Sequence, residues 1–114
     1  MSKHIQLITN LQKLTINQEI VWRASSPPEV ITRMKDEHIQ TCYITSYRGA
    51  DFYLYLEKYR EYFGEFDTWG FSERVILNIV EDEFITWENY QDQGPLRDLL
   101  RIVMNSASNL DRFF

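Results

Sequence analysis

The stretch IQTCYITSYRGADFYLYL, running from Ile39 to Leu56, decides how the rest of this 114-residue chain is read. Up to Tyr47 it alternates, with Ile39, Thr41, Tyr43, Thr45 and Tyr47 on one side and Cys42, Ile44 and Ser46 on the other. These β-branched and aromatic types suit a pleated surface. Arg48-Gly49-Ala50-Asp51 then offers a glycine for a positive-φ turn position, and Phe52, Leu54 and Leu56 resume the alternation against Tyr53, Tyr55 and Glu57. An antiparallel hairpin is predicted.

Upstream of the hairpin, His4, Leu7, Ile8, Leu11 and Leu14 fall at helical spacing, which predicts an amphipathic helix over Lys3 to Leu14. Glu19 to Ala24 then alternates Ile20, Trp22 and Ala24 against Val21 and Arg23, as a strand does. Ser26-Pro27-Pro28-Glu29, followed by Val30, Ile31 and Met34, matches a capping box with proline in the first turn, which reads as a short helix. The paired prolines and the polar run Lys35-Asp36-Glu37 read equally as an irregular connection, so Ser26 to Glu37 stays open between helix and loop.

Downstream, Glu57 to Ser72 fits neither period well. A helical turn from Leu56 to Phe63 ended by Gly64, and continuation of the strand into a long loop, are both compatible with it. Arg74 to Glu81 alternates with apolar residues on both sides, the pattern of a central strand covered on both faces. Glu81-Asp82-Glu83 turns the chain into Phe84 to Glu88, and Asn89 to Gly94 is a polar loop. From Pro95, the stripe Leu96, Leu99, Leu100, Val103, Ala107, Leu110 and Phe114 predicts a C-terminal helix. The expected fold is α+β: an N-terminal helix, an antiparallel β-meander of about four or five strands and a C-terminal helix, with the helices packed on one sheet face. At 13.8 kDa, with no linker and no repeat, residues 1–114 read as a single domain.

Composition narrows the function classes. Twelve Lys and Arg against 17 Asp and Glu leave a net charge of -5 and a pI near 5.0. That balance repels phosphate backbones and anionic lipid, so neither direct nucleic-acid binding nor membrane association is expected. The single cysteine, Cys42, forms no internal disulfide, and no signal-like or membrane-length apolar stretch is present, which points to the cytoplasm. The small, unadorned architecture suggests a bacterial source.

No catalytic set emerges. His4 and His38 have no second metal-binding residue at i+3 or i+4, and His38 and Cys42 on one strand lie about 13 Å apart, too far to act together. The pairs Glu57/Glu61 and Glu81/Glu83 are read as surface acids rather than as an acid/base or cation site, and the glycines are too scattered for a phosphate loop. The chain is therefore expected to be non-enzymatic and to need no cofactor.

What stands out is aromatic density: nine of the 17 Phe, Tyr and Trp residues fall between Phe52 and Phe71. One reading is that many of these rings simply close the sheet beneath the helices. The other is that, with the helices on the Phe52/Leu54/Leu56 face, Tyr53, Tyr55 and Tyr59 lie on an uncovered opposite face rimmed by Glu57, Glu61, Glu65 and Asp67, with Trp69 a further binding candidate. The expected role is a protein-binding module, such as an immunity protein, antitoxin or inhibitor, whose partner is another protein or a second copy of itself. A small-ligand-binding or sensor domain, with Trp69 or Tyr55 stacking on a planar ligand, is the alternative.

Overall fold

A computed structural model of the chain describes residues 2–33 and 38–107, with His38 described in its backbone alone. Its elements run α1 (Lys3–Ile16), β1 (Arg23–Ala24), α2 (Glu29–Thr32), β2 (His38–Tyr47), β3 (Ala50–Phe63), β4 (Thr68–Glu81), β5 (Phe84–Asn89) and α3 (Gln93–Ala107). The strands form one antiparallel sheet in the order β1-β2-β3-β4-β5, a plain meander. The α+β fold expected from the sequence is the fold observed. The C-terminal stripe residues Leu110 and Phe114, and Met34 to Glu37 of the open segment, lie outside the described residues.

Two tight turns fix the register. Arg48 (φ 52°) and Gly49 (φ 81°) close β2–β3 so that Tyr47 faces Ala50, and Asp82 (φ 50°) and Glu83 (φ 69°) close β4–β5 so that Glu81 faces Phe84. Paired positive φ values match the right-handed strand twist. Between these turns, β3 and β4 pair without interruption from Asp51↔Val80 to Phe63↔Thr68.

One sheet face carries the main core. Phe52, Leu54, Val75 and Leu77 pack there with Ile8 and Leu11 of α1 and Leu96, Leu99, Leu100 and Val103 of α3. Between α1 and β2 the chain does not form the full strand expected over Glu19 to Ala24; only Arg23 and Ala24 pair with β2. Side-chain bonds hold the remainder. Trp22 Nε1 donates to Thr15 Oγ1 at 2.9 Å, Thr15 Oγ1 donates to the Leu11 carbonyl at 2.7 Å, and Thr45 Oγ1 donates to the Val21 carbonyl at 2.8 Å. Ile20 and Trp22 are thereby buried without a strand ladder.

Two segments that the sequence left open take one form, and one strand alternation is corrected. Ser25 to Pro28 is non-helical and α2 is a single turn capped by the Pro28 backbone, so the capping box at Ser26 does not form. A bulge between Ile39 and Thr41 moves Ile39 to the opposite face from Thr41 and Tyr43, because an extra residue reverses the side-chain alternation. Finally, of the two readings open for Leu56 to Phe63, continuation of the strand is the one observed, and no long loop follows it. Gly64 to Asp67, with Asp67 at φ 48°, turns the chain directly into β4, which starts six residues earlier than the expected Arg74.

Glu83 is exposed and held at positive φ, a conformation that disfavours residues with a Cβ. Glu83→Gly is expected to raise unfolding stability by about 0.5–1 kcal/mol, read as a higher denaturant midpoint at unchanged m-value. An unchanged or lowered midpoint would contradict the turn geometry.

Candidate functional site

Strand alternation places Tyr53, Tyr55, Glu57, Tyr59 and Glu61 on the sheet face away from α1 and α3, as the sequence suggested. That face is not bare. Ile31 of α2, with Val30, packs over Cys42, Ile44, Tyr53, Tyr55, Ile76 and Val80, leaving Tyr53 9% and Tyr55 0% exposed. The expectation of an open tyrosine surface there is corrected by the one-turn helix, which supplies a second small core. Its apolar residues Val30 and Ile31 lay in the segment whose structure the sequence left open.

Glu57 is likewise no rim residue. It is fully buried and paired with cross-strand Arg74, with Glu57 Oε1 2.8 Å from Nη2 and 2.9 Å from Nε. Arg74 also lies between two rings, 4.7 Å from the Tyr59 centroid and 4.6 Å from that of Tyr90. Deeper in the same face, the Tyr55 hydroxyl donates to Asn78 Oδ1, and Asn78 Nδ2 donates to Glu88 Oε2 at 3.0 Å. Among the described residues no buried side-chain polar atom lacks a partner. This network is the mark of a structural polar layer, in which each desolvated group has its counterpart.

Four exposed aromatics, Tyr62, Phe66, Trp69 and Phe71, gather elsewhere, on the outer half of the β3–β4 hairpin. There the ribbon runs beyond its neighbours: β2 pairs with β3 only as far as Lys58, and β5 pairs with β4 only over Leu77 to Glu81. On the helix side of this arm, Tyr62 faces Trp69, Arg60 faces Phe71 and Lys58 faces Glu73. Trp69 and Phe71 are each 61% exposed, and Phe66 in the turn is 76% exposed.

These side chains are ordered among themselves. Tyr62 and Trp69 are tilted rings 5.3 Å apart, Arg60 Cζ lies 5.1 Å above Trp69, and Lys58 Nζ lies 4.8 Å above Phe71. The Tyr62 hydroxyl donates to Asp67, tying the turn to the stripe. On the reverse side, Phe63 lies across Gly70, where an added Cβ would come within 2.5 Å of the ring, and Ser72 donates to Glu61. Of the predicted site residues, Glu61 and Trp69 therefore sit on the arm, on opposite sides of it. Tyr59 is half-buried beneath Arg74, while Tyr53, Tyr55 and Glu57 belong to the covered face. Sequence reasoning passed over Phe71, Tyr62, Lys58 and Arg60. The available signal was the alternation of Lys58, Arg60 and Tyr62 against Tyr59, Glu61 and Phe63, obscured by its mixed polarity.

Among the described residues, no three His, Cys, Asp or Glu side chains gather as a metal site would require, and no helix is long and apolar enough to cross a membrane. The chain matches no family model, no curated protein and no solved structure.

Burial also pushes the Cys42 thiol from 9.0 up to about 11 and raises the Tyr55 phenol, to which the Glu88 and Glu57 carboxylates add. Both groups are neutral when protonated, and folding holds that proton more tightly. Their contribution is intact at neutral pH and is lost as the unfolded chain ionises first. Unfolding stability is expected to fall between about pH 9 and 11, and Cys42→Val is expected to flatten that fall. Denaturant titrations across this range check it; a slope unaffected by the substitution would place the thiol in contact with water.

Proposed function

We propose that this protein is a non-enzymatic, cytoplasmic protein-binding module, and that its binding surface is the outer β3–β4 arm rather than the tyrosine face. The observation that carries this reading is the exposed aromatic stripe of Tyr62, Trp69 and Phe71, pre-ordered by Arg60 and Lys58 on a two-stranded ribbon. Aromatic rings and Arg supply most of the energy of typical protein interfaces, and a stripe already held in place loses little entropy on binding. The acidic tip, with Glu65 and Asp67 beside Phe66, adds long-range attraction for a basic partner surface. A role as an immunity protein, antitoxin or inhibitor of an enzyme with a basic active site fits this arrangement.

The small-ligand reading draws support from a different place, a groove of about 380 Å³ beside α2, walled by Val30, Arg33, Asp51, Tyr53, Val80 and Glu83. Its polar and charged rim suits a small polar ligand lying against the Tyr53 edge. The arm presents the larger organised aromatic surface and is preferred.

Trp69→Ala/Phe71→Ala removes two exposed side chains, so the thermal midpoint is expected to move by only a few degrees while recovery of the partner from source-organism lysate falls at least tenfold. Tyr53→Ala/Tyr55→Ala is expected to act in reverse, lowering stability by several kcal/mol through loss of buried rings. A partner recovered undiminished by the arm variant would remove the arm from the interaction.

A further inference from the structure

The arm presents a backbone edge as well as a ring surface. In place of a neighbouring strand, the Gln93 side chain serves Val75 of β4: Val75 N–H donates to Gln93 Oε1 at 3.0 Å, and Gln93 Nε2 donates to the Val75 carbonyl at 2.8 Å. Both polar groups of Val75 therefore point away from β3. Two residues on, Arg97 donates to the Glu73 carbonyl at 3.0 Å, on the same edge. Strand alternation turns the N–H and C=O groups of Phe71 and Trp69 the same way, past the reach of α3.

Among the described residues no strand pairs with the Thr68 to Ser72 part of this edge, and the side-chain contact to its outward backbone groups is a 3.4 Å approach of Thr68 Oγ1 to the Trp69 carbonyl. Thr68-Trp69-Gly70-Phe71-Ser72 also carries no charge, no proline and no bulge. Those are the usual means by which proteins block an open edge.

We propose that this edge takes up an extended peptide segment of the partner as an added antiparallel or parallel strand, and that the segment alternates acidic with apolar side chains. The proposal rests on the arm being the binding surface. Charge sets one half of the alternation. Lys58 and Arg60 lie over Phe71 and Trp69 on the helix side, and neither has a carboxylate within ion-pair distance among the described residues. Carboxylates on that side of an added strand complement them. Shape sets the other half: on the reverse side the side chains flank Gly70, where the Phe63 ring offers an apolar surface. Main-chain bonds to Trp69 and Phe71 then supply affinity and the alternating side chains supply selectivity.

A second copy of this chain fits the edge poorly. Antiparallel pairing centred on Gly70 sets Glu73 against Asp67, and pairing centred on Trp69 sets it against Glu65. Pairing centred on Phe71 requires the Glu73 carbonyl that Arg97 already occupies.

The test is titration of the isotope-labelled full chain with three synthetic peptides, read by the backbone amide signals of Trp69 and Phe71. The first alternates Glu with Val, the second alternates Lys with Val, and the third is the Glu/Val peptide with alternate backbone nitrogens methylated. The expected result is saturable shifts at Trp69 and Phe71 with the Glu/Val peptide, at least tenfold tighter than with either other peptide, and loss of the preference over Lys/Val in Lys58→Gln/Arg60→Gln. Equal binding of the methylated peptide, equal or tighter binding of the Lys/Val peptide, or no saturable shift with any of them would overturn strand addition. So would a concentration-dependent dimer, seen by sedimentation, that protects these amides. If the partner is still lost from the Trp69→Ala/Phe71→Ala variant while no peptide binds, the surface reading stands and the strand reading alone fails.

Discussion

The β3–β4 ladder is the constraint on which the molecule depends. Thirteen consecutive cross-strand pairs, from Asp51↔Val80 to Phe63↔Thr68, hold two strands of 14 residues in one register. A single-residue slip would send Leu54, Leu56, Val75 and Leu77 to the face that Tyr53, Tyr55, Ile76 and Asn78 now occupy, so burial on both faces of the inner half enforces the register along the whole ribbon. The covering layers are shorter than what they cover. α1 and α3 on one side and α2 on the other reach only the inner half, and the outer half stands as a two-stranded arm whose shape is dictated from a distance.

That division separates the residues that hold the fold from those proposed for recognition. On the inner half, aromatic and charged residues serve the fold: Tyr55 and Asn78 pass a hydrogen bond to Glu88, and Arg74 is ion-paired with Glu57 while lying between the rings of Tyr59 and Tyr90. The fully buried Glu57 carboxylate is met by Arg74 with two short contacts, which offset the cost of taking its charge out of water. On the outer half, the same residue types have no layer above them among the described residues. Cation–π stacking and the Tyr62 to Asp67 bond order them without burying them, which is the condition a pre-formed interface needs.

Much of this fold was legible in the sequence because period and turn chemistry agreed. The amphipathic stripes of α1 and α3, the hairpin around Gly49 and the doubly apolar Arg74 to Glu81 each specify their element locally. What was missed depended on long-range contacts. Glu19 to Ala24 has the alternation of a strand, yet tertiary bonds from Thr15 and Thr45 hold most of it as a loop. Val30 and Ile31 lie too close to two prolines to announce a covering helix, and without that helix Tyr53 and Tyr55 read as exposed. On the arm, where no core selects one face, the mixed polarity of Glu57 to Ser72 hid two strands joined by a tight turn. Within the aromatic cluster that the sequence singles out, the buried half, Tyr53 and Tyr55, was taken for the open half.

The hairpin is one continuous ladder, covered over its inner half and, among the described residues, open over its outer half. Residue-resolved amide hydrogen exchange of the free full chain tests it most directly. The account predicts the highest protection at the β3- and β4-facing amides from Asp51 to Glu57 and from Arg74 to Val80. It predicts weaker protection, set by local opening, from Tyr59 to Phe63 and from Thr68 to Ser72, with the outward amides of Trp69 and Phe71 exchanging fastest of all. Protection at those two amides equal to that of the inner ladder would contradict it, because the edge proposed for binding would then already be occupied in the free protein.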